Sequence, residues 1–180
     1  MKMERLLESN KELYNIFEKK NMKCEDYNEI ECLIDCILSR DRTCVIDYFP
    51  QRIKNFNAYE KMEDFLLKKK NRKEYAEKIT NVLLKLIPYF EMKIVIPETM
   101  VKTLKKYEGI VSIKEMRIDK LNHILKKIIV KDGTVTVLIE ELKVVLLIQL
   151  YNTAVYFEEF QEIPLLEKII VSEGLFYWKE

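Results

Sequence analysis

Glycine is scarce in this chain of 180 residues: there are three, at positions 109, 133 and 174. Glycines so few and so far apart cannot build the cradle with which Rossmann folds and Walker loops hold phosphates, which excludes nicotinamide and P-loop enzymes of those types. With only four prolines besides, collagen-like and low-complexity architectures are excluded as well. Histidine occurs once, as His123, so a Ser–His–acid or Cys–His relay has a single imidazole to draw on. No Ser sits in a nucleophile elbow. Long apolar runs are also missing. The longest is VVLLI at residues 144–148, whereas a spanning helix needs about 20 apolar residues and a secretory signal about 7–15 near the start. The sequence therefore predicts a soluble, cytoplasmic protein with no membrane contact. Nor does one sign of charge dominate: 31 Lys and Arg stand against 30 Asp and Glu, which provides no global attraction to nucleic acid.

What is present is the material of a packed domain. Hydrophobic residues make up 48% and charged residues 34%, too apolar and too evenly charged for disorder. A chain of this length buries roughly two-thirds or more of its unfolded surface. We read residues 1–180 as a single α+β domain, with a helical lobe over residues 1–92 and a sheet-containing lobe over residues 93–180 as the division it permits. The usage, rich in Lys, Ile, Asn and Glu, fits an AT-rich bacterial genome.

Along the chain, apolar residues at three- and four-residue steps (Met3, Leu6, Leu7, Leu13, Tyr14, Phe17) predict an amphipathic helix over about residues 2–20. The apolar content of residues 30–38 fits helix and strand alike. The β-branched and aromatic segment at residues 43–49, stopped by Pro50, reads as a strand. A helical pattern resumes at Ala58. After the basic run at residues 68–73 comes the most regular period in the chain: Tyr75, Ala76, Ile79, Val82, Leu83, Leu86, Ile87 and Phe90, the expected central core helix, with Pro88 to end or kink it. A strand at residues 93–96, a short helix at residues 98–107, a moderately alternating stretch at residues 110–116 and a helix at residues 118–129 follow. Beyond the Asp132-Gly133 turn the period changes to two, predicting strands at residues 134–139, 144–150 and 153–160 in an antiparallel meander. Pro164 opens a last helix, Gly174 caps it, and residues 175–178 add an edge strand. The fold class is α+β: a helix-rich N-terminal half, and a meander sheet in the C-terminal half packed with helices.

Four cysteines at positions 24, 32, 36 and 44 are spaced too widely for paired zinc ligands. They read as buried, reduced thiols in an apolar stripe. No metal and no cofactor is expected. A weak nuclease-like arrangement of Asp132, Glu141 and Lys143 occurs, of a spacing that chance supplies in any charged chain. On its helix His123 falls opposite the apolar face, among Lys120, Lys126 and Lys127, as a solvated surface residue.

Charge is unevenly placed. Residues 102–131 hold nine Lys or Arg and three acids, a surplus of six; residues 140–180 hold three Lys and eight Glu, a deficit of five. The acidic segment is also rich in aromatics. Aromatic anchors with a charged rim are the makeup of a protein-binding face, here Tyr156, Glu158, Glu159, Phe160, Glu162 and Trp178. The expected function is a small non-catalytic interaction module, in concrete form an inhibitor or immunity-type protein that occludes a toxin or enzyme. A homodimer would use the same face. The alternative is a nucleic-acid-binding protein or metal-dependent nuclease using the basic run at residues 68–73 and the helix face of Lys120, Lys126 and Lys127.

Overall fold

The structure, a computed structural model, describes residues 24–41, 43–50, 56–96, 109–131, 133–149 and 152–179. The helices expected at residues 2–20 and 98–107 lie outside them. The described elements are five helices and seven strands. They are α1 Cys24–Leu38, β1 Cys44–Asp47, α2 Phe56–Leu67, α3 Lys69–Leu86, β2 Met92–Ile96, β3 Gly109–Ser112, α4 Ile118–Val130, β4 Val135–Ile139, β5 Val144–Ile148, β6 Asn152–Phe157, α5 Pro164–Ser172 and β7 Phe176–Lys179. All strand pairs are antiparallel, in one sheet of order β3-β2-β4-β5-β6-β1-β7. The fold is α+β. Strands β4, β5 and β6 form the expected meander, and six of the seven strands lie in the C-terminal half.

The sheet is covered on both faces, which explains its near-continuous apolar strands. On one face Val135, Val137, Val144, Leu146, Val155 and Ile46 meet the buried stripes of α3, α4 and α5. On the other, Leu138, Val145 and Ile110 meet Ile34 and Ile37 of α1. Burying an Ile of this kind contributes about 1.5–3 kcal/mol. The helix-or-strand question at residues 30–38 is thus settled as helix: Ile30, Leu33, Ile34, Ile37 and Leu38 form the side turned to the sheet. The same geometry corrects the expectation for two thiols. Cys32 and Cys36 are exposed, and Cys44 is buried. At 100° per residue the two lie on the side of α1 away from Ile34 and Ile37.

Helix α3 is the centre of its layer, packing against α2, α4 and α5. It also starts earlier than its apolar pattern. The basic run belongs to its first turns, where Lys69, Lys70 and Lys73 are exposed and no apolar residue is needed. Its buried Tyr75 hydroxyl meets the Thr153 hydroxyl of β6 at 3.2 Å, joining helix to sheet. Its last helical residue is Leu86, two before Pro88. Helix α5 closes with a Schellman cap: Gly174 is left-handed, its N–H donates to the Val171 carbonyl, and the Leu175 N–H donates to the Ile170 carbonyl. The stretch at residues 110–116 divides into β3 and a 3₁₀ turn. Among the described residues no helix is long and apolar enough to cross a membrane.

Candidate functional site

Of the six positions of the acidic, aromatic segment, the structure brings three together. Glu158, Glu159 and Phe160 leave the end of β6 beside the tight turn Glu140–Leu142 and line a shallow depression of about 290 Å³. Phe160 is 51% exposed, its ring edge-on to Phe157 at 5.5 Å. Gln161 ties the loop down through a bond to the Leu142 carbonyl. Glu162 turns to the end of β7, where it pairs with Lys179 at 2.6 Å. The other two aromatics lie on the α1 face of the sheet. Tyr156 is half-buried against the α1 cluster, and Trp178 stacks on Phe176 at 6.2 Å with its indole N–H enclosed.

The acidity of the segment is partly cancelled within the fold. Glu140 pairs with Lys93, Glu158 with Lys143, Glu162 with Lys179 and Glu173 with Lys85. Lys179 holds the Glu162 carboxyl below its ordinary range, and Lys85 does the same for Glu173. Two of those lysines, Lys85 and Lys93, come from outside the segment. A sum of charge along the chain cannot see them.

The basic residues behave in the opposite way. Arg72 on the first turn of α3 donates from Nη1 to the carbonyl of Val130, the last residue of α4, at 3.3 Å. Five residues further along α3, Glu77 meets Lys126, four residues back along α4, at 3.5 Å. The two helices are therefore antiparallel, and the basic start of one lies against the basic end of the other. Between them runs a groove of about 510 Å³ lined by Lys73, Glu77, His123, Lys126, Lys127, Val130 and Lys131. Four lysines face one carboxylate there. His123 is exposed, as its position opposite Leu121, Leu125 and Ile128 requires, and it is part of the groove wall. Two basic stretches some 50 residues apart in the chain become one site; the Arg72 contact that joins them has no signature in the sequence.

The first turn of α3 also runs against helix electrostatics. It contains no acid, and Lys68 at the cap position makes no capping bond through its side chain. Lysines 69, 70 and 73 and Arg72 stand at the pole where the helix dipole is positive, each unfavourable by about 0.3–1 kcal/mol. No compensating anion comes from the first turn itself.

Two residues of the nuclease-like arrangement are engaged in other contacts. Glu141 accepts a bond from the backbone N–H of Glu91, Lys143 is engaged by Glu158, and Asp132 lies outside the described residues. Among the described residues no three His, Cys, Asp or Glu are grouped as metal ligands. The main titratable cluster ties β1 to α3. The Tyr48 hydroxyl donates to Glu74 at 2.7 Å under the ammonium of Lys78, and Asp47 accepts from the Phe49 N–H. Burial raises the Asp47 carboxyl and pushes the Tyr48 phenol up to about 12. The class of protein defined here is an α+β domain with a cationic groove on its helical layer. No family model matches the chain, and no curated protein or solved structure matches it either.

Proposed function

We propose that this protein is a non-catalytic binding domain whose ligand is an anionic polymer, held in the groove between α3 and α4. The observation that carries this reading is the convergence of Lys73, Lys126, Lys127 and Lys131 on one concavity with Glu77 as the opposing charge. The uncapped, acid-free start of α3 supports it. The positive pole of a helix with no acid in its first turn favours an anionic ligand. The test is binding of inorganic polyphosphate at low salt, followed by fluorescence anisotropy, for the natural chain and for Lys126→Glu with Lys127→Glu. Binding by the first and its loss in the second is the expected result. Equal binding by both, or by neither, removes the reading.

A second reading, a protein-interaction module of the inhibitor or immunity type, is favoured by one observation, the exposure of Phe160 beside Glu158 and Glu159. An aromatic anchor with a charged rim suits a basic partner protein. Glu158→Lys with Glu159→Lys then slows association, and Phe160→Ala accelerates release, with the groove variants unaffected. A stoichiometric partner that survives all three changes excludes this corner.

A further inference from the structure

We infer that the groove is proton-linked: its anionic ligand binds together with a proton on His123, and is held more tightly at about pH 6 than at about pH 8. This regulates the site already proposed and rests on the groove being the binding site. The lining consists of four lysines, Glu77, Val130 and His123. Lysine and glutamate side chains ordinarily change charge well outside the interval from about pH 5 to 8, and valine carries no charge. Imidazole is the side chain that gains or loses its charge within that interval. His123 is the one histidine of the chain, and it stands exposed on the groove wall beside the lysines.

The charges around the ring come from two helices. On α4, Lys126 and Lys127 stand one turn after His123, and Asp119 and Lys120 one turn before it. Both oxygens of Asp119 accept from Arg117 at 3.1 Å. Across the groove α3 presents Lys73 and Glu77, and Glu77 meets Lys126 at 3.5 Å. The strand packed under α4 is β4, whose residues Val135 to Ile139 carry no charge. The one carboxylate of the lining is thus set against a lysine. A ligand of repeated anionic groups lying along the lysines brings negative charge to the ring, and negative charge favours the imidazolium. The imidazolium in turn adds a fifth cation to the lining and a charged N–H donor for the oxygens of the ligand. Binding and protonation strengthen each other by the same factor. Phosphates and sulfate esters alike fit this chemistry.

The experiment uses the full, untagged chain at fixed low salt, with fluorescent dextran sulfate as the probe, because its sulfate esters keep their charge over the whole interval, and with long-chain polyphosphate in parallel. Affinity should rise by about fivefold or more from about pH 8 to about pH 6, the size of one added contact with an anionic group at low salt. His123→Gln should abolish the rise. His123→Lys, which fixes the charge, should bind about equally at both ends of the interval. The proton is also read directly. With one histidine in the chain, the imidazole signal in the NMR spectrum belongs to His123, and saturating dextran sulfate should move its titration to higher pH. Binding that ignores pH, or a rise that survives His123→Gln, overturns this inference while leaving the binding of an anionic polymer intact. An imidazole titration that the polymer leaves in place does the same. Failure of both polymers to bind at any pH overturns the groove reading itself.

Discussion

Removing the hydroxyl of Tyr75 tests how α3 is held to the sheet. Tyr75 and Thr153 are both buried, and their hydroxyls meet at 3.2 Å. That is longer than the usual 2.5–3.0 Å for such a bond, so the bond itself contributes at the low end, about 0.5–1 kcal/mol. The larger effect comes from leaving one hydroxyl buried without the other, which costs about 1–2 kcal/mol. Tyr75→Phe keeps the ring and its edge-on contact with Tyr48, so packing changes little. The expected loss is about 1–2 kcal/mol for Tyr75→Phe and a similar amount for Thr153→Val. The double variant should lose about 1 kcal/mol less than the sum, since no hydroxyl is left stranded. Urea unfolding reads this as a shift in midpoint at constant slope. Additive losses within about 0.3 kcal/mol would refute the reasoning and mean that the two hydroxyls are satisfied elsewhere.

Further outcomes follow from single contacts. A Cβ on Gly133 would lie 2.6 Å from the Ile128 methyl and 3.0 Å from its carbonyl oxygen; Gly133→Ala should cost about 1–3 kcal/mol, seen as a lower melting temperature, and an unchanged one would contradict this. The phenols of Tyr48, Tyr75 and Tyr177 are all raised, first by burial. Both states are neutral below the ordinary value of 10.0, whereas above it only the unfolded chain ionises, so stability falls as pH rises from about 10 through the folded value near 12 for Tyr48. Phenolate absorbance should show these rings titrating only as the protein unfolds; ionisation of all tyrosines near 10 in the folded state would contradict the burial. Glu173 is held below its ordinary 4.5 by Lys85, with Asn81 adding a second bond. Its stabilisation is present above that value and lost as pH falls below it, so Glu173→Gln should lower stability at neutral pH and flatten the acid limb of the pH–stability curve. A parallel curve would contradict it.

The elements were largely legible in the chain and their partnerships were not. Helices α3 and α4 announce themselves because Ile79, Leu83 and Leu86, and Leu121, Leu125 and Ile128, repeat at the helical period and all turn to one core. Strands β4 and β5 announce themselves through Val135, Val137, Val144 and Leu146. Nothing local says that β1 lies between β6 and β7. That place is set by Val45 facing Ala154 on one side and Trp178 on the other, over 100 residues away. The exposure of Cys32 and Cys36 was readable in principle, from their offset to Ile34 and Ile37, but an apolar run that fits helix and strand alike hides the offset. The candidate sites repeat the lesson. His123 and the basic runs were visible one at a time, while the groove exists only through the antiparallel contact of Arg72 with Val130. The acidic segment was visible as a sum, yet Lys85 and Lys93 reach in from elsewhere to cancel part of it.

The most direct test of the groove is the salt dependence of binding to duplex DNA, used as a regular polyanion whose salt slope counts phosphate contacts. Four lysines in contact with phosphates imply a slope of about −3.6 in log affinity against log salt, and about a hundredfold loss between 50 and 200 mM. Lys126→Glu with Lys127→Glu removes two of those contacts and should bring the slope to about −1.8. A steep slope in the natural chain that halves in the variant is the predicted result. A shallow slope, or a steep one that the variant leaves unchanged, would place any binding away from α3 and α4 and contradict the account.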